Sequence, residues 1–311
     1  MRKLLFTVSL VIGGMFLLAQ NRTQTSPELV PVQMIVTIEA RHGKDIPSLN
    51  REDVMAYERQ ERLQVAGLIP FQGENAGLEL FFLLDDASST SLGSQLGDLR
   101  QFIETQPATT AVGIGYMQHG TVDIVQNFTT DHSHAAQTLR LPLWSAGASP
   151  YLSLSDLVKR WPGNSTRREV VLVTSGVDVL GGVGPSNPYL DSAIEDAQRN
   201  GVVVYAIYMP SAGHAGHSFW RMNWAQSHLG QIAEETGGEA YMLGFGAPIS
   251  FAPYLENIAE RLGHQYRVTV LFKPETRAGF RDVRFVTEVP NAELVAASKA
   301  YVPAGREKPR R

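Results

Sequence analysis

The sequence predicts an α/β fold in which helices cover both faces of a doubly wound, mostly parallel β-sheet. From residue 78 onward, short apolar runs alternate with segments whose apolar residues recur at helical spacing. The runs LELFFLL, EVVLVT and VVVYAIYM are almost entirely apolar, which is typical of strands buried on both faces of a parallel sheet. Because parallel neighbours need crossover connections, the helices between these strands are expected to form right-handed crossovers.

The elements of this region follow one another in a regular order. The first strand ends at Asp85, and two later strands flank His119 and Gly120. A helix begins near Asp131, and Gly237-Gly238 ends another helix before the predicted strand EAYML. The other helices are predicted from apolar residues at helical spacing, namely Leu92, Leu96, Leu99, Phe102 and Ile103; Leu154, Leu157, Val158 and Trp161; Ile194 and Ala197; Ile232 and Ala233; and Leu255, Ile258 and Leu262.

The two ends of the chain have the pattern of β-strands without intervening helices. VQMIVTIEA, VMAYER and RLQVAGLIPF precede the break at FQGENAG, and QYRVTVLF, RDVRFVTEV and ELVAASKAYV follow His264. Neither end has enough strands to bury a face alone, so we expect them to form a small accessory β unit together. The predicted division is an N-terminal β segment at 31–75, an α/β domain at 76–264, a C-terminal β segment at 265–304 and a basic tail at 305–311.

The composition excludes several classes of protein. Of the 311 residues, 43% are hydrophobic and 19% are charged, which permits a sizeable core and excludes a disordered chain. The formal net charge of -4 and the pI near 6.1 argue against nucleic-acid binding through a broad basic face. Because the chain has no cysteine, disulfides, thiolate nucleophiles, cysteine zinc sites and iron–sulfur clusters are all excluded.

The first residues have the pattern of an export signal. Arg2 and Lys3 precede an apolar run from Leu4 to Leu18, and the small residue Ala19 follows. The run is shorter than the ~20 residues that a membrane-spanning helix needs. We therefore predict a signal peptide at 1–19, a linker at 20–30, and a protein exported to the periplasm, the cell envelope or the medium. The alternative is an uncleaved signal segment that anchors the protein in the membrane.

Several motifs, taken in order, resemble the von Willebrand factor A domain. LFFLLDDASS has the family's apolar strand followed by an acidic and hydroxyl-rich turn. GASPYLSL resembles the second metal loop, EVVLVTSGVD resembles the strand that ends in T-D-G, and IAEETGGEAYML resembles the helix, glycine pair and strand that follow. The flanking β segments are similar to those of a bacterial, acidobacterial-type subfamily of related domains. The resemblance extends over nearly the whole mature chain.

The resemblance implies a metal-ion-dependent adhesion site at the carboxyl ends of the strands, where such domains bind Mg²⁺ or Mn²⁺ through oxygen ligands. By this resemblance, Asp85, Ser89 and Ser149 stand at ligand positions, whereas Ala87 and Ser175 replace an expected Ser and Asp. A register shifted by one residue would use Asp86, Ser88 and Thr90 instead, and Asp178 lies three residues past Ser175. With fewer carboxylates, we expect a degenerate site that binds a divalent ion weakly or not at all.

A second candidate site is the segment AGHAGHSFWRMNWAQSH. Its His214, His217 and His228 could ligate a metal, but no acidic partner accompanies them. The segment also contains tryptophan and arginine, which anchor many protein interfaces. It is therefore a candidate partner-binding loop formed by Phe219, Trp220, Arg221 and Trp224. The alternative is a long loop that folds its aromatic side chains back onto the sheet.

Motifs of the common enzyme classes are missing from the sequence. GGVGPSNP lacks both the dinucleotide fingerprint and a lysine for phosphates, and there is no G-x-S-x-G elbow. We therefore expect no nucleotide cofactor and predict an exported, non-catalytic module that binds a protein or a cell-surface ligand. Two alternatives are a structural scaffold of an envelope assembly with a vestigial metal site, and a hydrolase or transferase on the same fold.

Overall fold

The computed structural model describes residues 29–143, 148–165, 167–182, 184–210 and 218–305. The predicted signal peptide, most of the linker and most of the basic tail lie outside these residues. The described strands are β1 (Val30–Ala40), β2 (Met55–Glu58), β3 (Glu61–Pro70), β4 (Leu78–Asp85), β5 (Thr110–Gln118), β6 (Thr121–Thr129), β7 (Arg168–Thr174), β8 (Val202–Tyr208), β9 (Ala240–Tyr241), β10 (Gln265–Phe272), β11 (Gly279–Asp282), β12 (Arg284–Val286), β13 (Ala292–Ala296) and β14 (Lys299–Val302). The described helices are α1 (Leu96–Glu104), α2 (His132–Gln137), α3 (Pro150–Lys159), α4 (Pro188–Asn200), α5 (Phe219–Thr236) and α6 (Ala252–Gly263).

The central sheet has the strand order β6-β5-β4-β7-β8-β9. Its strands are parallel except for the edge strand β6, which pairs antiparallel with β5. The predicted class, a mostly parallel sheet with helices on both faces, is confirmed. The strand EAYML is shorter than predicted, because the chain leaves the sheet after Tyr241 and exposes Leu243 to solvent.

The alternation of side chains along β4 places helices on both faces of the sheet. Leu80, Phe82 and Leu84 belong to one apolar core together with buried residues of α1, α2 and α6. Phe81 and Leu83 point the other way and belong to a second core with residues of α3, α4 and α5. Since every residue of β4 is buried, its continuous apolar run follows directly from its position in the middle of the sheet.

The two ends of the chain form a second, antiparallel sheet with the order β12-β2-β3-β10-β1-β13 and its own apolar core. This sheet is not small: it has six strands, as many as the central sheet, because strands from both ends of the chain are interleaved within it. The predicted strand ELVAASKAYV is divided into β13 and β14, and β14 pairs with β11 in a separate ribbon.

A buried polar network joins the second sheet to the amino ends of the parallel strands. Arg167, just before β7, donates from Nε to Glu169 Oε1 at 3.3 Å and to Gln265 Oε1 at 2.9 Å. Gln265, the first residue of β10, donates in turn to the hydroxyls of Tyr205 at 3.1 Å and Thr37 at 3.4 Å. The central sheet therefore meets the second sheet at its amino edge, and its carboxyl edge faces away from that contact.

No helix within the described ranges is long and apolar enough to span a membrane.

Candidate functional site

Asp85 is the last residue of β4 and lies at the centre of the carboxyl edge of the sheet. It is almost completely buried, and both its oxygens are occupied. Oδ2 accepts a hydrogen bond from the Thr174 hydroxyl at 2.7 Å, and Oδ1 accepts one from the Ala87 N–H at 2.8 Å. Burial raises the pKa of Asp85, although these hydrogen bonds act in the opposite direction. Both oxygens of the Asp85 carboxyl group are therefore hydrogen-bonded to other groups of the protein.

The serine hydroxyls of the first two loops are in different environments. Ser89 caps a short 3-10 helix (Thr90–Gln95) by accepting a hydrogen bond from the Ser91 N–H at 3.4 Å. Ser88 and Ser149 are buried, and their hydroxyl oxygens have no hydrogen-bond partner among the described residues. Ser149 stands at the start of α3 without capping it. The site therefore contains two buried hydroxyls whose bonding capacity is not used by described residues.

The third loop begins at the end of β7. Ser175, which replaces the family's aspartate, is buried and accepts a hydrogen bond from the Val177 N–H at 3.3 Å. Asp178 faces the following turn, where it accepts hydrogen bonds from the Leu180 and Gly181 N–H groups, each at 2.9 Å. Asp178 thus stabilises the turn after the third loop, and its carboxylate is not free to replace the missing one.

Asp86 is buried and forms an ion pair with the partly exposed Arg140. Its oxygens accept hydrogen bonds from Arg140 Nη1 at 2.7 Å and Nη2 at 3.1 Å, and from the Leu143 N–H at 2.8 Å. The Arg140 guanidinium also lies 3.7 Å from the centre of the Tyr116 ring. Burial by itself would raise the pKa of Asp86, but the hydrogen bonds from Arg140 and Leu143 and the charge of the guanidinium hold it below its usual value.

Neither Arg140 nor Tyr116 was identified from the sequence. Arg140 lies 54 positions after Asp86, so no local spacing links the two residues. The shifted register would use Asp86 and Thr90 as metal ligands. Asp86 already has a cationic partner, and Thr90 is exposed and begins the 3-10 helix. Asp85 and Thr174 are in direct contact, and the latter is a further polar residue at the site that sequence reasoning did not single out.

The donor set at this edge is a poor fit for a divalent cation. Asp85 is the one carboxylate at the aligned ligand positions, Ala87 offers no oxygen in its side chain, and Ser175 is uncharged. Hard cations such as Mg²⁺ need charge as well as oxygen donors, so Ser88 and Ser149 do not compensate for a missing carboxylate. In the part of the chain that the structure describes, no group of three or more His, Asp or Glu side chains is placed to hold a metal ion.

The segment predicted as an aromatic loop is helical from Phe219, so the prediction of a loop is wrong for the partner-binding candidates. Phe219, Trp220, Arg221 and Trp224 occupy the first two turns of α5, and all four side chains are exposed. The alternative, in which the aromatic side chains fold back onto the sheet, is wrong as well. His228 turns inward instead, and its ring packs edge-on against Tyr151 at 6.0 Å. His214 and His217 lie outside the described residues.

The exposed apolar side chains of the protein are concentrated at the carboxyl edge. Of the ten large hydrophobic side chains that are exposed among the described residues, seven follow the carboxyl ends of the parallel strands, in loops or in the first turns of α5. Two more, Leu141 and Leu143, follow α2 and reach the same edge, where the Leu143 N–H contacts Asp86. We call this set the apolar face: Leu141, Leu143, Val179, Leu180, Phe219, Trp220, Trp224, Leu243 and Ile249. Within this face, Phe219 packs edge-on against Trp220 at 6.0 Å. Phe219 also packs on Phe245 at 5.2 Å, and Gln95 donates a hydrogen bond to the Ile249 carbonyl, so neighbouring residues support the face.

No protein-family model and no curated protein matches the sequence. The structure is similar to solved von Willebrand factor A domains, among them von Willebrand factor type A from Catenulispora acidiphila, with 10% identity and a TM-score of 0.46 over 92% of this chain and 78% of that chain. The vWF domain of the type V pili tip protein Mfa5 from Porphyromonas gingivalis has 12% identity and a TM-score of 0.42 over 63% of this chain and 95% of that one. Proximal thread matrix protein 1 from the mussel byssus has 14% identity and a TM-score of 0.43. The match covers 60% of this chain and 47% of that one, so this chain spans about half the length of that protein. At these identities the similarity concerns the fold alone.

Proposed function

We propose that this protein is an exported, non-catalytic binding module that binds a protein partner through the apolar face. The expectation of export rests on the basic and apolar pattern of residues 1–19. The partner binds by apolar contact, and this binding does not depend on a metal ion. The degenerate adhesion site lies beneath the apolar face. The partner is a protein, because the exposed Trp220 and Trp224 are of the residue type that anchors many protein–protein interfaces.

The position of the exposed apolar side chains is the observation that carries this proposal. Single exposed hydrophobic residues are common and need no explanation, but a contiguous exposed apolar surface marks an interaction site. Trp220 is 71% exposed and Leu143 is 69% exposed, and both lie at the edge that carries the degenerate site. Tryptophan contributes strongly to many interfaces because it buries a large apolar area at a small cost in side-chain entropy.

The charges beneath the apolar face support binding without a metal. Arg140 neutralises Asp86, and the Asp85 carboxyl is buried and hydrogen-bonded. In the family's binding mode, a carboxylate of the partner completes the coordination of a metal ion. The oxygen donors at the aligned positions of this protein are a poor fit for such an ion, so this mode of binding is not expected here. The apolar face then supplies the binding energy through burial of its side chains.

A metal titration tests whether the adhesion site is degenerate. We expect calorimetry with Mg²⁺ or Mn²⁺ to detect weak or no binding by the wild-type protein. The double variant Ala87→Ser and Ser175→Asp should bind measurably, because it restores one hydroxyl and one carboxylate beside Asp85. The single variant Ala87→Ser serves as the control, since it adds a donor without adding charge. Tight binding by the wild type, or none by the double variant, would contradict the alignment of these loops.

Site-specific photo-crosslinking in the native cells tests the binding face. A photoreactive phenylalanine analogue at Trp220 should crosslink a discrete protein, whereas the same analogue at Ile69 should not. Ile69 is the matched control because it is the one exposed large hydrophobic residue, among those described, that lies outside the apolar face. Substitution of Leu143 by Ser should reduce the crosslink at Trp220. Equal crosslinking from the two positions would show that the apolar face is not the binding surface.

A further inference from the structure

A crevice of about 410 Å³ lies between the two sheets, at the amino ends of β7 and β8. It is on the opposite side of the central sheet from the apolar face, so it is a separate feature. One wall is the stretch from Val32 to Ile35 on β1, and the other is formed by the starts of β7 and β8 together with the end of α4. Lys299 and Tyr301 of β14 also line it.

The wall formed by β1 is an unpaired strand edge. On one side, β1 pairs with β10 along Val30–Thr37. On the other side, β13 pairs only with Val36–Ala40, so the preceding residues of β1 have no strand partner there among those described. An unpaired edge presents backbone N–H and C=O groups to any extended chain that approaches it. Because alternate residues of a strand direct their backbone groups to the same edge, the crevice offers the N–H and C=O groups of two of the four residues Val32–Ile35.

The crevice has a positive charge that no described lining residue neutralises. Arg168, Arg199 and Lys299 line it, and no Asp or Glu among the described residues does. Within the described ranges, none of these three cations forms an ion pair. The Arg199 guanidinium lies 4.2 Å from the centre of the Tyr301 ring, which orients it without using its hydrogen-bond donors. Arg168 is positioned by a hydrogen bond from its Nε to the Ser165 carbonyl at 2.8 Å.

A buried acceptor completes the lining. Gln198 is 7% exposed, and its Nε2 donates to the Glu235 carbonyl at 2.7 Å. Its Oε1 is buried and has no partner in the described part of the chain. A buried acceptor without a partner costs free energy that a ligand N–H can recover. The crevice thus combines cations, a free strand edge and one buried acceptor, and these three together match the groups of an acidic polypeptide.

We propose that this crevice binds an extended acidic peptide segment of a partner protein, which adds to the sheet as a strand beside β1. Backbone pairing with β1 requires a polypeptide, which distinguishes this ligand from a small anion. Acidic side chains of the segment reach Arg168, Arg199 and Lys299, where charge-assisted hydrogen bonds form. A second copy of this chain is disfavoured as the occupant, because pairing β1 with β1 would bring the same three cations together.

Fluorescence anisotropy with a labelled peptide, Ac-EVEVEVE-NH2, tests this proposal on the mature chain at low salt. We expect saturable binding that weakens as salt is raised, because exposed ion pairs are screened. The lysine analogue Ac-KVKVKVK-NH2 should not bind. An acidic peptide with alternate backbone nitrogens methylated should bind at least about tenfold more weakly, because methylation removes the donors for strand pairing.

Protein variants identify the site. Arg199→Gln and Lys299→Gln should each weaken binding by about two- to fivefold, whereas Arg62→Gln, an exposed arginine on β3 that is distant from the crevice, should not change it. Four results would each overturn the proposal: no binding of the acidic peptide, equal binding of the methylated peptide, displacement by free glutamate or phosphate at comparable concentration, or a dimer by light scattering that the peptide does not dissociate. None of these measurements depends on the apolar face, so failure here leaves the proposed function intact.

Discussion

The two edges of the parallel sheet have opposite surface chemistry. At the amino edge, the polar and charged side chains of Arg167, Glu169 and Gln265 are buried and bonded to one another across the contact with the second sheet. At the carboxyl edge, large apolar side chains are exposed to solvent above a buried Asp85. Both arrangements depart from the usual distribution of apolar inside and polar outside. The difference indicates that the amino edge holds the protein together, whereas the carboxyl edge is free to contact a partner.

The energetic consequences differ in the same way. A buried ion pair contributes little net stability against an apolar replacement, but removal of one partner leaves an uncompensated buried charge. Burial raises the pKa of Glu169, and the charge of the neighbouring Arg167 acts in the opposite direction. The network therefore favours one relative placement of the sheets. Exposed apolar side chains at the other edge contribute little to folding, which agrees with the proposed binding role of that edge.

The largest effect is expected at the amino edge. Substitution of Arg167 by Met should lower the free energy of unfolding by about 3–5 kcal/mol, because it leaves Glu169 buried without its cationic partner. The double variant with Glu169→Gln should recover part of that loss. Urea denaturation of the single and double variants measures both values, and Arg168→Met is the control at a neighbouring arginine without an ion pair. A loss below about 1 kcal/mol for Arg167→Met would show that the network does not join the sheets.

The next effect concerns the third loop at the carboxyl edge. Gly176 has φ 71°, and a Cβ there would lie 2.7 Å from the Ala225 carbonyl oxygen of α5. Gly176→Ala should cost about 3 kcal/mol of unfolding free energy, from backbone strain and a steric clash together. Gly182 is the matched control, because its φ is 92° but a Cβ would meet nothing within 4 Å. Its alanine variant should cost only about 1 kcal/mol by thermal denaturation, and equal costs would show that the loop moves away from α5.

A pH-dependent effect is expected from the ion pair beneath the apolar face. Asp86→Asn should lower the free energy of unfolding by about 2 kcal/mol at neutral pH, because the partly exposed Arg140 loses its counter-charge. The folded pKa of Asp86 lies below the usual value of 3.8, so its stabilisation is fully present above pH 3.8 and is lost as pH falls further. Denaturation of both proteins at a series of pH values should therefore show the difference shrinking below pH 3.8. A difference that grew on acidification would contradict the sign of this linkage.

The smallest effect is expected at the most exposed aromatic residue. Trp220→Ser should change the free energy of unfolding by no more than about 0.5 kcal/mol, because its side chain is 71% exposed. The same variant should reduce partner crosslinking from a photoreactive group at Phe219. Leu229→Ser is the contrasting control on the same helix, since Leu229 is fully buried and its substitution should destabilise the protein strongly. A marked loss of stability in Trp220→Ser would mean that the apolar face belongs to the fold.

Local patterns predicted much of the fold because they reflect burial directly. The apolar run of β4 was interpretable since all eight of its residues are buried between two layers of helices. The aromatic segment was predicted less well. A helix and a loop with the same aromatic residues differ little in local pattern, so α5 was recognised only around Ile232 and Ala233, where one face meets the core.

The sequence by itself determined the alternation of strands and helices, the β character of both ends of the chain and, under the family resemblance, the replacement of an expected serine by Ala87 and of an expected aspartate by Ser175. These features depend on residue type and on spacing within a few positions. Tertiary structure alone decided the pairing of Asp86 with Arg140, the collection of nine exposed apolar residues on one edge and the positive crevice beside β1. Each of these joins residues far apart in the chain, and their proximity follows from strand order and crossover direction, which side-chain periodicity does not encode.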